Sequence, residues 1–246
     1  MEVDDSFKQT ELRRLFSLSG VNWSGPRGLE NASFADTTLP RLLIGPGLPP
    51  FASVRVANCS FRNCRIQGEM RIAPGVELES VVFDNVSAPD GMLINTPTIL
   101  RNVTVNGSVK KRGLWVKPSS APMDADTKER YREWTDRAAG DRRTMLDFSG
   151  LDAPDTEVVG LPLSQLRWNP AWHLPMLREW KDSEAWRRLD FPAMSPLWVR
   201  MRRLERFDAA AGVFSLPSDT KKPSLFLEQV HQLIDAGIVL PSPLSS

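Results

Sequence analysis

A period of 22 residues constrains this chain more than any other feature. Val56, Leu78 and Leu100 superimpose at that step, as do Phe61, Phe83 and Val105; Met70, Met92 and Leu114; and Ile72, Ile94 and Val116. Four apolar columns repeat together, with apolar positions two apart inside each unit. Such a unit cannot bury its apolar face alone, so the pattern implies short strands stacked in register as the coils of a β-solenoid, a parallel β-helix with about 22 residues per coil. Leu29, Phe34, Leu42 and Ile44 fill the same columns one coil earlier, and Val21 and Trp23 belong to a partial coil before that. The first coil is longer: Ile44 to Val56 is 12 steps, whereas Ile72 to Leu78 and Ile94 to Leu100 are 6 each. The extra residues fall in Leu48-Pro49-Pro50-Phe51-Ala52-Ser53. This proline-rich bulge makes Phe51 a candidate contact residue, because loops carrying extra residues are where solenoids often place their contacts.

Within each coil runs a second spacing, of five: Leu29, Phe34, Leu39; Val56, Phe61, Ile66; Leu78, Phe83, Ala88. Small or apolar residues stand two before the central one, at Ala32, Cys59, Cys64, Val81, Val86 and Val103. The stretch Ala57-Asn58-Cys59-Ser60-Phe61-Arg62-Asn63-Cys64-Arg65-Ile66 in this respect resembles the pentapeptide-repeat family. The resemblance covers residues 21–116, where Gly68, Pro89 and Gly107 interrupt the pentads. It implies a right-handed solenoid without intrinsic catalytic activity, acting through its outer faces.

A solenoid has two open ends, and each needs a cap. Residues 1–20 supply a candidate at the first: Ser6 to Phe16 places Phe7, Leu12, Leu15 and Phe16 on one side of a short helix, which serves either as a cap or as a partner-binding helix. After the solenoid, residues 117–123 have the composition of a linker, and 124–246 are expected to form a helical domain. Its expected helices cover Asp124 to Ala139, with Tyr131 and Trp134 three apart; Leu174 to Leu189; Ser195 to Ala211, opening on Ser195-Pro196; and Ser224 to Ala236, stopping at Gly237. The tail Ile238-Val239-Leu240-Pro241 reads as a short strand or an extended packing segment. Five of the eight tryptophans lie between Trp168 and Trp198, either as the core of this domain or as a stacking surface. Arg200, Arg202, Arg203 and Arg206 cluster on the third of these helices, as a solvated face or as a contact for phosphate or an acidic partner.

Composition narrows the classes. Lys plus Arg is 31 and Asp plus Glu is 30, which indicates no nucleic-acid footprint, and the ten basic and seven acidic residues of 21–116 argue against an acidic mimic of DNA. No apolar run approaches the roughly 20 residues that a membrane span needs. Met1-Glu2-Val3-Asp4-Asp5 is acidic where a secretory leader is basic, so a cytoplasmic location is expected. Cys59 and Cys64, on successive pentads, read as inward-facing thiols.

No catalytic set stands out. The two histidines, His173 and His231, lie far apart with no cysteine or carboxylate at ligand spacing, so neither a metal nor a cofactor is expected. Carbohydrate-active β-helices place paired carboxylates on adjacent coils. Here the columns after the central apolar residue read Ala35, Arg62, Asp84, Asn106 and Asp36, Asn63, Asn85, Gly107, which leaves Asp36 and Asp84 a whole coil apart. The Asn63 and Asn85 stack is read as turn geometry with side-chain hydrogen bonding between coils.

Alternation points a further column outward: Asn22, Leu43, Arg71, Leu93 and Trp115. Exposed Leu93 and Trp115 call for a cover, either the helical domain folding back or a partner protein. The candidate interaction residues are therefore Phe51, Leu93, Trp115, Arg200 and Arg203. The leading expectation is a non-catalytic protein-binding adaptor or inhibitor, such as an immunity protein or antitoxin that blocks a toxin. A structural subunit of an assembly and a carbohydrate-active β-helix enzyme are the alternatives.

Overall fold

Strands form wherever the apolar columns run, and like residue pairs with like. The structure, a computed structural model, describes residues 28–45, 54–108, 113–119, 146–216 and 225–243, together with helical positions Ala125, Asp126, Glu129 and Glu133. The first repeat supplies β1 (Gly28–Glu30), β2 (Ser33–Ala35), β3 (Thr38–Leu39) and β4 (Leu42–Ile44). The second supplies β5 (Val54–Arg62), β6 (Arg65–Ile66) and β7 (Met70–Ile72), and the third β8 (Val76–Asp84) and β9 (Met92–Thr96). The fourth supplies β10 (Ile99–Arg101), β11 (Val103–Ser108) and β12 (Leu114–Pro118).

All of these pair in parallel. Leu29 is opposite Val56, Val56 opposite Leu78 and Leu78 opposite Leu100. Phe34, Phe61, Phe83 and Val105 form a second such series. Leu42, Met70, Met92 and Leu114 form a third, and Ile44, Ile72, Ile94 and Val116 a fourth. The rings of Phe34, Phe61 and Phe83 stack at 5.0 and 5.2 Å between centroids, tilted by only 20° and 12°. In-register pairing sets identical side chains one strand spacing apart, about 4.8 Å, which suits flat rings. Cys59 and Cys64 are buried free thiols, and burial pushes both up from the ordinary thiol value.

Two corners of each repeat need backbone that most residues avoid. Asn31, Asn58, Ser80 and Asn102 have φ of 57°, 52°, 53° and 51°, and five residues further on Asp36, Asn63 and Asn85 have 52°, 51° and 51°. Asn and Asp tolerate this left-handed region best after glycine. Their amides also join the repeats: Asn58 Nδ2 donates to Asn31 Oδ1 at 3.3 Å, Asn63 Nδ2 to Asp36 Oδ1 at 3.1 Å and Asn85 Nδ2 to Asn63 Oδ1 at 3.4 Å. The turn-and-ladder reading of Asn63 and Asn85 is thus what the structure contains. Gly107 ends the second column at φ 115°, where an added Cβ would lie 2.8 Å from the Asn85 backbone.

Beyond residue 116 the fold differs from the expected helical domain. Parallel pairing resumes with β13 (Leu146–Asp147) and β14 (Leu151–Asp152) on β11, β15 (Glu157–Val159) on β12, and β16 (Leu166–Arg167) on β13. The step from Val103 to Leu146 is 43 residues and from Leu146 to Leu166 is 20, so a search at a fixed period passes over them.

The expected helix over Leu174 to Leu189 is also overturned. His173–Leu177 is strand β17, Arg178–Asp182 is a 3-10 turn, and only Glu184–Leu189 is helical, as α1. Pro175 holds Leu174 extended, and antiparallel pairing of His173–Leu177 with Ala211–Ser215 takes the segment into the sheet. Helix α2 (Pro196–Arg206) starts as expected, with Ser195 Oγ accepting from Trp198 N, but the chain then turns through Asp208 at φ 49° into strand β18 (Ala211–Ser215). An added Cβ on Gly212 would meet Leu204 of that helix at 2.9 Å. Helix α3 (Leu225–Asp235) closes on Gly237, with Gly237 N and Ile238 N bonded to the carbonyls of Ile234 and Leu233, and Ile238 and Leu240 pack rather than pair.

The result is a mixed, β-rich architecture of a nine-stranded, a seven-stranded and a two-stranded sheet with few helices. The seven-stranded sheet runs β17-β18-β15-β12-β9-β7-β4, with β18 antiparallel to both neighbours. Its inner face, including Val158 and Val213, joins the column residues in one core, and its outer face at the β15–β18–β17 end joins α1, α2 and α3 in a second.

Phe83→Ala should lower unfolding free energy by about 3–5 kcal/mol in urea denaturation, since Phe83 is fully buried between the Phe61 ring and Val105. Gly107→Ala should cost more than the roughly 1–2 kcal/mol of left-handed backbone, because the Asn85 backbone blocks the new methyl, whereas Asn85→Gly should stay within about 1 kcal/mol.

Candidate functional site

The outer face of the seven-stranded sheet carries one continuous row. Leu43 is opposite Arg71, Arg71 opposite Leu93, Leu93 opposite Trp115 and Trp115 opposite Glu157. The row continues through Phe214 to Leu174. Phe214 and Leu174 are buried in the second core, whereas Leu43, Arg71, Leu93 and Trp115 are half-buried. The row therefore passes from beneath the helical layer onto a half-buried, mainly apolar face interrupted by Arg71.

Polar groups fix this face. Arg71 Nε donates to Asn95 Oδ1 at 2.9 Å, and its Nη1 lies 3.6 Å from Glu69 Oε1. Lys117 Nζ sits 4.8 Å from the centroid of the Trp115 ring, within cation–π range. At the border with the helices, Glu157 Oε2 lies 3.9 Å from Arg203 Nε, while buried Oε1 has no hydrogen-bond partner among the described residues.

The sequence-derived residues fall into three groups. Leu93 and Trp115 are neighbours in the row, and Arg203 reaches its border through Glu157. Arg200 belongs elsewhere: its guanidinium lies 4.0 Å from the Phe226 centroid, and it donates to the carbonyls of Pro196 and Ser215 at 3.1 and 3.5 Å. Burial pulls Arg200 below the usual guanidinium value, with the side chain half-buried at the edge of the second core. The four arginines are thus divided, because Arg202 and Arg206 are exposed on the opposite side of α2. Phe51 lies outside the described residues, as do Ser6 to Phe16, Tyr131 and Trp134. Among the five tryptophans, Trp168, Trp180 and Trp186 are buried, and Trp198 is half-buried with Nε1 donating to Phe191 O at 3.0 Å. Trp172 is 37% exposed. The cluster is mainly core.

Glu157 and Lys117 were not singled out by sequence reasoning. Lys117 falls in the expected linker and Glu157 in the expected helical domain; the signal for Glu157 is the outward–inward pair Glu157-Val158 matching Trp115-Val116.

The described side chains of this face offer apolar contact and charge. Among the described residues no three His, Cys, Asp or Glu side chains stand together as metal ligands. A cavity lined by Met70, Phe83, Met92, Val105, Leu114 and their neighbours holds about 20 Å³, the room of one water. No helix among the described residues is long and apolar enough to cross a membrane. No protein-family model, curated protein or solved structure matches the chain.

The division of the arginines can be measured by thermal melting. Arg200→Ala should lower stability by about 1–3 kcal/mol through the lost contact with Phe226 and the orphaned carbonyls, while Arg202→Ala and Arg206→Ala should stay within about 0.5 kcal/mol.

Proposed function

We propose that this chain is a non-catalytic protein-binding scaffold, an adaptor or inhibitor, built as a β-solenoid of the pentapeptide-repeat kind and acting through the Leu43–Arg71–Leu93–Trp115 face. The single observation that carries this reading is the in-register row on that face. Side chains held on paired strands lose little freedom on binding, so a rigid, half-buried apolar strip with basic groups beside it is suited to recognising another folded protein. A cytoplasmic immunity protein or antitoxin that blocks a toxin is the form of inhibitor that such a scaffold fits. The reading includes no cofactor, no nucleic acid and no membrane. Fold alone does not fix function, so the argument rests on this face.

The alternative, a structural subunit, would act through the ends of the sheets, where β1 and β4 stand last among the described strands.

Leu93→Glu separates the two. The substitution should leave circular dichroism and melting unchanged, because Leu93 points away from the core, and should abolish capture of a stoichiometric partner seen with the unaltered protein by quantitative mass spectrometry. Equal capture by both proteins would overturn the assignment of this face. Concentration-dependent self-association in light scattering, unaffected by Leu93→Glu, would move the function to the strand edges.

A further inference from the structure

The series that begins with Phe34 ends on a histidine. Phe148, two residues beyond Leu146, follows Val105 in the core, and the His173 ring meets it edge-on at 5.0 Å. His173 is 2% exposed, and its Nδ1 lies 3.2 Å from the Asn169 carbonyl. A carbonyl only accepts, so Nδ1 carries the proton and Nε2 keeps a bare lone pair. Among the described residues no group donates to that lone pair. A proton arriving there would place a charge in the core with no acceptor.

The position of this ring gives it leverage. His173 opens β17 and stands opposite Ser215 on β18, while Leu174, Met176 and Phe214 of the same two strands face the helices. The β17–β18 pair is therefore the plate between the column core and the helical layer, and His173 is its contact with Phe148. Ser215 across from it is uncharged; its hydroxyl donates to Pro154 O and accepts from Thr156 N, each at 3.1 Å. Arg200 reaches the Ser215 carbonyl from the helical side. On the Phe148 side lie Asp147, 3.8 Å from Arg167, and Asp152, whose charge favours the imidazolium but is outweighed by burial.

We propose that His173 is an acid latch: a proton on its Nε2 releases β17 and β18, with the helices packed on them, while the parallel ladder of β5, β8 and β11 stays paired. Burial pulls the imidazole from 6.5 down to about 4. The neutral ring is the folded one, so its contribution is complete above pH 6.5 and is lost as pH falls towards 4. Across that window the population of the released state should rise about tenfold per pH unit, and about a hundredfold between pH 7 and pH 4.

Amide hydrogen exchange on the full chain, corrected for intrinsic rates, tests this. Amides of 173–177 and 211–215 should lose about a hundredfold of protection between pH 7 and pH 4, those of β5 and β8 should not, and His173→Phe should remove the difference. Asp152→Asn, which keeps the imidazole, should retain it. Loss of protection in β5 and β17 at the same pH, or an unchanged profile in His173→Phe, would overturn the latch. If His173→Phe fails to fold, a direct nuclear magnetic resonance titration of His173 decides: a midpoint near 4 supports the latch and one near 6.5 overturns it.

Discussion

The rest of the structure depends on parallel, in-register pairing of like with like. Once Phe61 stands on Phe34 and Phe83 on Phe61, a slip of one residue would turn every inward side chain outward. The left-handed corners hold the same register from outside the core. Each corner amide finds its partner only if Asn58 follows Asn31 and Asn85 follows Asn63 in space. Packing inside and hydrogen bonding at the corners thus specify one alignment independently, and a sequence that satisfies both has few competing arrangements.

How much was legible follows from what the period could carry. Every column from Leu29 to Val116 was readable, because each position met the same environment in successive repeats and selection for shape left the same residue type there. Leu146 and Leu166 occupy equivalent positions but stand 43 and 20 residues from their predecessors, so the same physics left no fixed interval to detect. Leu174 to Leu189 failed differently. Leu177, Trp180 and Leu189 have helical spacing, yet pairing with β18 draws His173–Leu177 into the sheet and the tryptophan is buried from a 3-10 turn instead.

Of the candidate face, Leu93 and Trp115 were legible from alternation, since a strand's two faces are fixed once one is known to be inside. Arg200 was not, because charge in a sequence says nothing about whether an aromatic ring lies over it. The helix carrying Arg200 is amphipathic through Leu197, Met201 and Leu204, but the second core is wider than that stripe and takes in the arginine's guanidinium as well. At the β15–β18–β17 end the helices cover the far members of the row, Phe214 and Leu174, and its near members from Leu43 to Trp115 stay half-buried.

The reversed strand β18 has a consequence for growth. A parallel in-register ladder is a template: its last strand offers the next one the same pattern it received, which is how fibrils lengthen without limit. Inserting one antiparallel strand between β15 and β17 changes the pattern on offer, and Pro175 in the terminal strand withholds a donor from any arriving chain. In the seven-stranded sheet the copying from repeat to repeat therefore stops at a defined strand, so the length of that sheet at this end is set by the chain.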